Sequence, residues 1–158
     1  MPKGSSHIRF HYQRRVSIAW RADLKAVVAQ IGRSFGKRSF DVNYVFCTDE
    51  YLLEINEEFL KHRDFTDIIT FDLGENSTNV LGEIYISVDR VKENAAFFEV
   101  PFHLELARVV FHGALHLCGL KDKSKREVKE MRAAEEKYLS AYRKRLFHVK
   151  QKRKTSFT

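Results

Sequence analysis

Only two cysteines, Cys47 and Cys118, occur in the 158 residues, so no disulfide framework holds this chain together. Both lie in apolar surroundings and read as small core residues. No apolar run approaches the ~20 residues that span a bilayer, and the opening stretch MPKGSSHIRF has no apolar signal core. The expectation is a cytoplasmic protein with no membrane partner. Internal repeats are absent, and so is any acidic residue from Arg143 onward. That last absence locates the charge. Of the net +7, all is accounted for by Arg143, Lys144, Arg145, Lys150, Lys152, Arg153 and Lys154, and the rest of the chain holds 21 basic and 21 acidic residues. A basic end of this kind is either a solvated tail or a nucleic-acid contact.

What is present describes one soluble domain. At 44% hydrophobic and 31% charged, the composition excludes a disordered chain, and the length suits a single core without staples. Ile8–Tyr12, Ser39–Cys47, Ile68–Leu73 and Leu81–Ser87 read as strands, with Phe40, Val42, Tyr44 and Phe46 on one face of the second. Helical spacing marks about Asp23–Ile31, a stretch capped by Thr48, and Val88–Phe98 with Ser87 as its cap. Pro101 starts a nearly all-apolar helix to Leu117, and Ser124 with Glu127 forms a capping box for a last helix of about twenty residues. This order predicts an α+β domain over residues 1–146, with a mixed four-stranded sheet packed mainly on one face by about five helices. Residues 147–158 are expected to be a disordered basic tail.

Chemistry concentrates in Phe111–Lys123, FHGALHLCGLKDK. His112 and His116 stand at i and i+4, so both rings leave one helix face and can converge on one ion. Gly119 can take the left-handed conformation that ends a helix, and Asp122 can then return as a third ligand. Three protein ligands leave a tetrahedral ion with an open position, as in a catalytic zinc site. The competing reading of an HxxxH pair is two buried or capping histidines. Glu105, Arg108, His112 and His116 share one stripe at about 100° per residue, and a polar stripe on a buried helix needs partners. His103 points the other way, and a helical Cys118 points away from the histidines. The glutamate that serves as base in HExxH peptidases is replaced here by Gly113, which removes that reading. Glycine there admits either a close neighbouring backbone or a bulky substrate. Hydrolysis by metal-activated water stays open, since zinc lowers the pKa of its water to about 7.

The run His112, Gly113, Leu115, His116, Leu117, Gly119 resembles the HGxLHLxGxxH signature of the bacterial YbeY endoribonucleases. Thr66–Phe71, TDIITF, and Leu81–Ser87, LGEIYIS, resemble two strands of that family in the same order, and the likeness covers roughly Arg9–Leu139. The resemblance implies the same α+β fold and a metal-dependent, single-strand-specific endoribonuclease of ribosomal RNA maturation and ribosome quality control. It also implies a zinc cofactor on His112, His116 and Asp122, and partners in single-stranded or ribosomal RNA and the small ribosomal subunit. Two positions depart from the pattern. Asp122 stands where the common motif has a third histidine, and Leu60 stands where an ungapped NxxxRxxxxxT alignment of Asn56 and Thr66 places an arginine. Lys61 or Arg63 is the candidate replacement for that phosphate contact. The general base is not identified by the motif; Glu83 and Asp72 are candidates if they face the metal, and Thr66 and Asp67 either join them or simply order their loop.

Two other classes fit part of the pattern. Two histidines and a carboxylate also describe the facial triad of iron oxygenases, which a redox-active bound metal would reveal. A non-catalytic RNA-binding or assembly factor would keep working after its ligands were changed to alanine. If the basic end binds RNA, truncation after Tyr142 weakens binding and flattens its salt dependence, as read from titrations at several salt concentrations.

Overall fold

Alternating apolar and polar residues build the sheet, and helical stripes cover it. The computed structural model describes residues 4–155. In chain order these form β1 (Ser5–Tyr12), α1 (Arg21–Ser34), β2 (Ser39–Cys47), α2 (Asp49–Leu60), β3 (Ile68–Asp72), β4 (Asn79–Ser87), α3 (Val88–Phe97), α4 (Phe102–Leu117) and α5 (Lys125–Thr155). The sheet order is β1-β2-β4-β3. β1, β2 and β4 run parallel, and β3 pairs antiparallel to β4 at one edge. This is the mixed four-stranded α+β arrangement that the order of elements predicts.

Phe40, Val42, Tyr44 and Phe46 of β2 point into the main core, where they meet residues of α1, α3, α4 and α5. Cys47 faces the other way, into a smaller cluster with Leu52 and Ile55 of α2 and Ile69 of β3. Four helices therefore cover one face and α2 the other. The two cysteines are unpaired, and burial pushes the Cys47 thiol up to about 12 and the Cys118 thiol up to about 11. Both thiols stay protonated and serve packing.

The cap signals sit where the residues suggest. Thr48 accepts a hydrogen bond from the amide of Tyr51, and Ser87 accepts one from the amide of Arg90. The amide of Glu127 donates to Ser124 while the amide of Ser124 donates to the Glu127 carboxylate, completing the capping box. The last helix departs from expectation. α5 runs 31 residues to Thr155, so 147–155 are helical where a disordered tail from residue 147 is expected. No glycine or proline stops it. Contacts to α1 hold its end: Leu146 is buried, Arg145 pairs with Asp23, and the Lys150 ammonium lies over the Trp20 ring. Residues 156–158 of that expected tail lie outside the described residues.

α4 crosses the main face of the sheet at the β3–β4 edge, and two details set its height and rotation. A Cβ at Gly113 would lie 2.9 Å from Cδ1 of Ile84 and 3.0 Å from Cδ1 of Ile68. A side chain there would make those isoleucine tips shift, and the neighbours are sheet side chains rather than another backbone. Tyr44, fully buried, donates its hydroxyl to the Val110 carbonyl at 2.8 Å, two residues before His112. Loss of that hydroxyl leaves a buried acceptor underserved. Tyr44→Phe should therefore destabilise the fold by about 1 kcal/mol, read as a lower urea midpoint at unchanged slope.

Candidate metal centre

His112 and His116 project from the last two turns of α4 toward each other. Their Nε2 atoms are 2.9 Å apart, and the ring centroids are 4.5 Å apart in a near-perpendicular arrangement. Asp122 reaches them from the loop, with Oδ2 at 3.3 Å from each Nε2. One ligand atom from each of the three residues falls within 4.8 Å of the others. The structure thus brings together the three residues singled out from the motif.

The far side of each imidazole decides its proton. Nδ1 of His112 lies 2.9 Å from the Glu135 carboxylate, and Nδ1 of His116 lies 2.9 Å from the Leu120 carbonyl. Both partners only accept, so both Nδ1 atoms carry the proton and donate it. With Nδ1 so engaged, each ring turns Nε2 toward the other and toward a carboxylate oxygen. Three potential donors at this spacing suit a cation placed among them. Ligand atoms about 2.0–2.1 Å from a tetrahedral ion stand about 3.3 Å from one another. The two histidine–carboxylate separations of 3.3 Å match that figure, and the 2.9 Å between the two Nε2 atoms is shorter.

Local sequence explains the placement. Gly119 has φ +103°, its amide bonds to the His116 carbonyl and the Leu120 amide bonds to the Leu115 carbonyl, a Schellman stop. This turn swings the Leu120 carbonyl under His116. From there only a few residues separate the stop from the capping box at Ser124, and Asp122 lies between them.

Glu135 of α5 was not identifiable as a site residue from the motif. It is 4% exposed. Besides His112 it contacts Arg108, whose guanidinium also binds Glu105. Burial pushes the Glu135 carboxyl up, but the bond from His112 and the charge of Arg108 outweigh it, holding the carboxyl below its usual range. Burial also works against the Arg108 charge, and Glu105 with Glu135 reverses that effect. Glu105 and Arg108 are therefore more than helix packing: they fix the carboxylate that orients His112. The signal in the sequence is an acid within the apolar series Met131, Tyr138, Leu139 and Tyr142.

A cleft of about 590 Å³ opens over the cluster, lined by His112, His116 and Asp122 and, on its other wall, by residues between Asn56 and Asp72. Leu60, His62, Thr66, Asp67 and Asp72 belong to that wall. Asn56 is buried and donates to the Asp64 carbonyl, while its own carbonyl accepts from the His62 amide, so it shapes the loop. Burial raises the Asp67 carboxyl, an effect that Arg108 and His112 partly oppose. Asp72 bonds the Gly74 amide. Lys61 and Arg63 are exposed and do not line the cleft. Glu83 must be set aside as a base: Ile84 beside it faces the main core, so strand alternation turns Glu83 to the α2 face, where it accepts from the Tyr85 hydroxyl. His103 lies at a tilt against the Trp20 ring, and Cys118 packs against the core, away from the cluster.

A mixed-sheet α+β domain thus carries two histidines and a carboxylate, a possible set of metal donors, at the mouth of a cleft. Comparison with known proteins narrows this. The model of the family described as Endoribonuclease YbeY matches residues 8–143, and the chain belongs to that family. A relative named Endoribonuclease YbeY from Flavobacterium psychrophilum is 44% identical over 146 residues, covering 91% of this chain and 99% of the relative. Its namesake from Porphyromonas gingivalis W83 is 51% identical over 112 residues, 71% of this chain and 74% of that protein. The solution structure of a Thermotoga maritima protein superposes with a TM-score of 0.67 at 29% identity, covering 90% of this chain and 93% of that one.

The outer partner of His112 is open to test. Glu135→Gln should weaken zinc affinity by about 10–100-fold, measured by competition with a chromogenic chelator; unchanged affinity would reduce Glu135 to packing.

Proposed function

We propose that this chain is a zinc-dependent endoribonuclease that cleaves single-stranded RNA and acts in ribosomal RNA maturation. The observation that carries the metal assignment is the pair of Nε2 atoms turned on one another, each ring's Nδ1 lying against an acceptor, with a carboxylate closing the triangle. His112, His116 and Asp122 would hold the ion. When bound, zinc polarises a phosphoryl oxygen and supplies an acidified water at neutral pH. Glu135 and the Leu120 carbonyl keep both rings in the ligating tautomer. Asp67, on the cleft wall with its carboxyl pushed toward the neutral form, is the group assigned to proton transfer.

Asp122 in place of a histidine adds a negative charge to the ligand set, which makes the ion less electrophilic. Leu60 leaves the opposite wall without the cation that the family pattern puts there, and Lys61 and Arg63 point elsewhere. His62 is the imidazole that lines this wall and is assigned the phosphate contact. Family membership supports the reading of ribosomal RNA as substrate, the small ribosomal subunit as partner and a cytoplasmic location. Among the described residues no helix is long and apolar enough to cross a membrane.

Metal analysis combined with ribonuclease assays tests the reading. Wild type should carry about one zinc per chain, and His116→Ala and Asp122→Ala should lose both metal and at least about a hundredfold of cleavage while keeping their fold. Asp67→Asn should keep the metal and lose turnover. Equal cleavage by all four proteins would assign the activity to a contaminating nuclease.

A further inference from the structure

The basic end of the chain is helical, and this changes what it can do. Arg132, Arg143 and Lys150 are separated by 11 and 7 residues, about three and two helical turns, so they share one face of α5. Arg132 is exposed and lines a second groove of about 200 Å³ together with His112, Asp122 and Glu135, beside the metal ligands. From Arg132 the same face leads away from the centre to Arg143 and Phe147, with Lys144 beyond Phe147, about 100° round the helix from Arg143. Arg143, Lys144 and Lys150 have no carboxylate partner among the described residues, although the Lys150 ammonium also lies over the Trp20 ring, and Arg145, directed toward α1, pairs with Asp23. Phe147 is 59% exposed among these cations. Glu136 is the acid that interrupts the series.

We propose that α5 is a track for single-stranded RNA, on which the strand leaving the cleft lays its phosphates on Arg132, Arg143, Lys144 and Lys150 and stacks a base on Phe147. This rests on the ribonuclease reading for the identity of the strand. Charge complementarity selects a polyanion, and an exposed aromatic ring among cations suits unpaired bases. Length follows from geometry. At 1.5 Å per residue, Arg143 lies about 16 Å and Lys150 about 27 Å from Arg132 along the helix. At about 3.4 Å per stacked nucleotide the strand needs roughly five nucleotides to reach the first and eight to reach the second. The enzyme would then read substrate length without reading sequence.

The experiment uses the full chain and fluorescein-labelled single-stranded RNAs of about 4 and about 20 nucleotides, with binding followed by anisotropy across a salt series. Combined Arg143→Ala, Lys144→Ala and Lys150→Ala should weaken binding of the longer RNA at least tenfold at low salt and reduce its salt slope by about 2, at roughly 0.7 per phosphate contact. Binding of the short RNA should not change. Substitution is preferred to truncation because Leu146 is buried and its loss would disturb packing. Phe147→Ala should weaken the longer RNA without moving the slope, and Glu136→Lys should tighten it. An unchanged slope in the triple variant, equal losses for both lengths, or no effect of Glu136→Lys would overturn the track. Binding is read apart from cleavage, so a protein that shows these shifts yet leaves RNA intact would retain the track and lose the ribonuclease reading.

Discussion

Two imidazole protons, each donated away from the centre, set the conditions for the rest of this molecule. Because Glu135 and the Leu120 carbonyl engage the Nδ1 atoms, the Nε2 atoms are the ones left to face one another. That facing is built in by folding. Burying Glu135, pairing it with Arg108 and neutralising that arginine's surplus with Glu105 are all parts of holding one ring in one tautomer. A charged chain of this kind costs desolvation, and its members are tolerated inside because each has a partner of opposite sign.

The sheet serves this arrangement by bringing α4 down at a defined height. Gly113 lets the helix settle onto Ile84 and Ile68, and Tyr44 grips the Val110 carbonyl just above. A glutamate at position 113, as in the peptidase motif, would force the tips of those isoleucines to shift. The loss of a peptidase base and the closeness of the helix to the sheet are therefore linked. α2 and the loop after it provide the second wall, so the cleft lies between the last turns of a buried helix and an edge of the sheet.

Much of this was legible in the residues. Alternation located Ser39–Cys47 to the residue, and Thr48, Ser87 and the Ser124–Glu127 box identified three helix starts, because these signals are local and act through neighbouring backbone. The three ligand candidates were legible because their geometry depends on one helix and one turn. Glu135 was not, since its meeting with His112 depends on how α4 and α5 pack across 23 residues of sequence. The facing of Glu83 was not legible for a related reason: alternation shows that it opposes Ile84, but not which face α4 will cover. The reach of α5 escaped notice because a run of cations reads as solvent-loving whether or not it is helical, and Arg145 and Lys150 reveal their partners on α1 only in three dimensions.

Asp122 hangs on a short strap pinned at both ends, by the Schellman stop at Gly119 and by the box at Ser124. Such a strap tolerates a change of side chain far better than a change of length. One residue more or fewer between the pins would carry the carboxylate out of range, whereas swapping the donor type leaves the path of the backbone alone. Evolution along this segment is thereby channelled into altering the chemistry of the third donor while the spacing stays constant, and an aspartate at position 122 is the kind of variant that such a constraint permits.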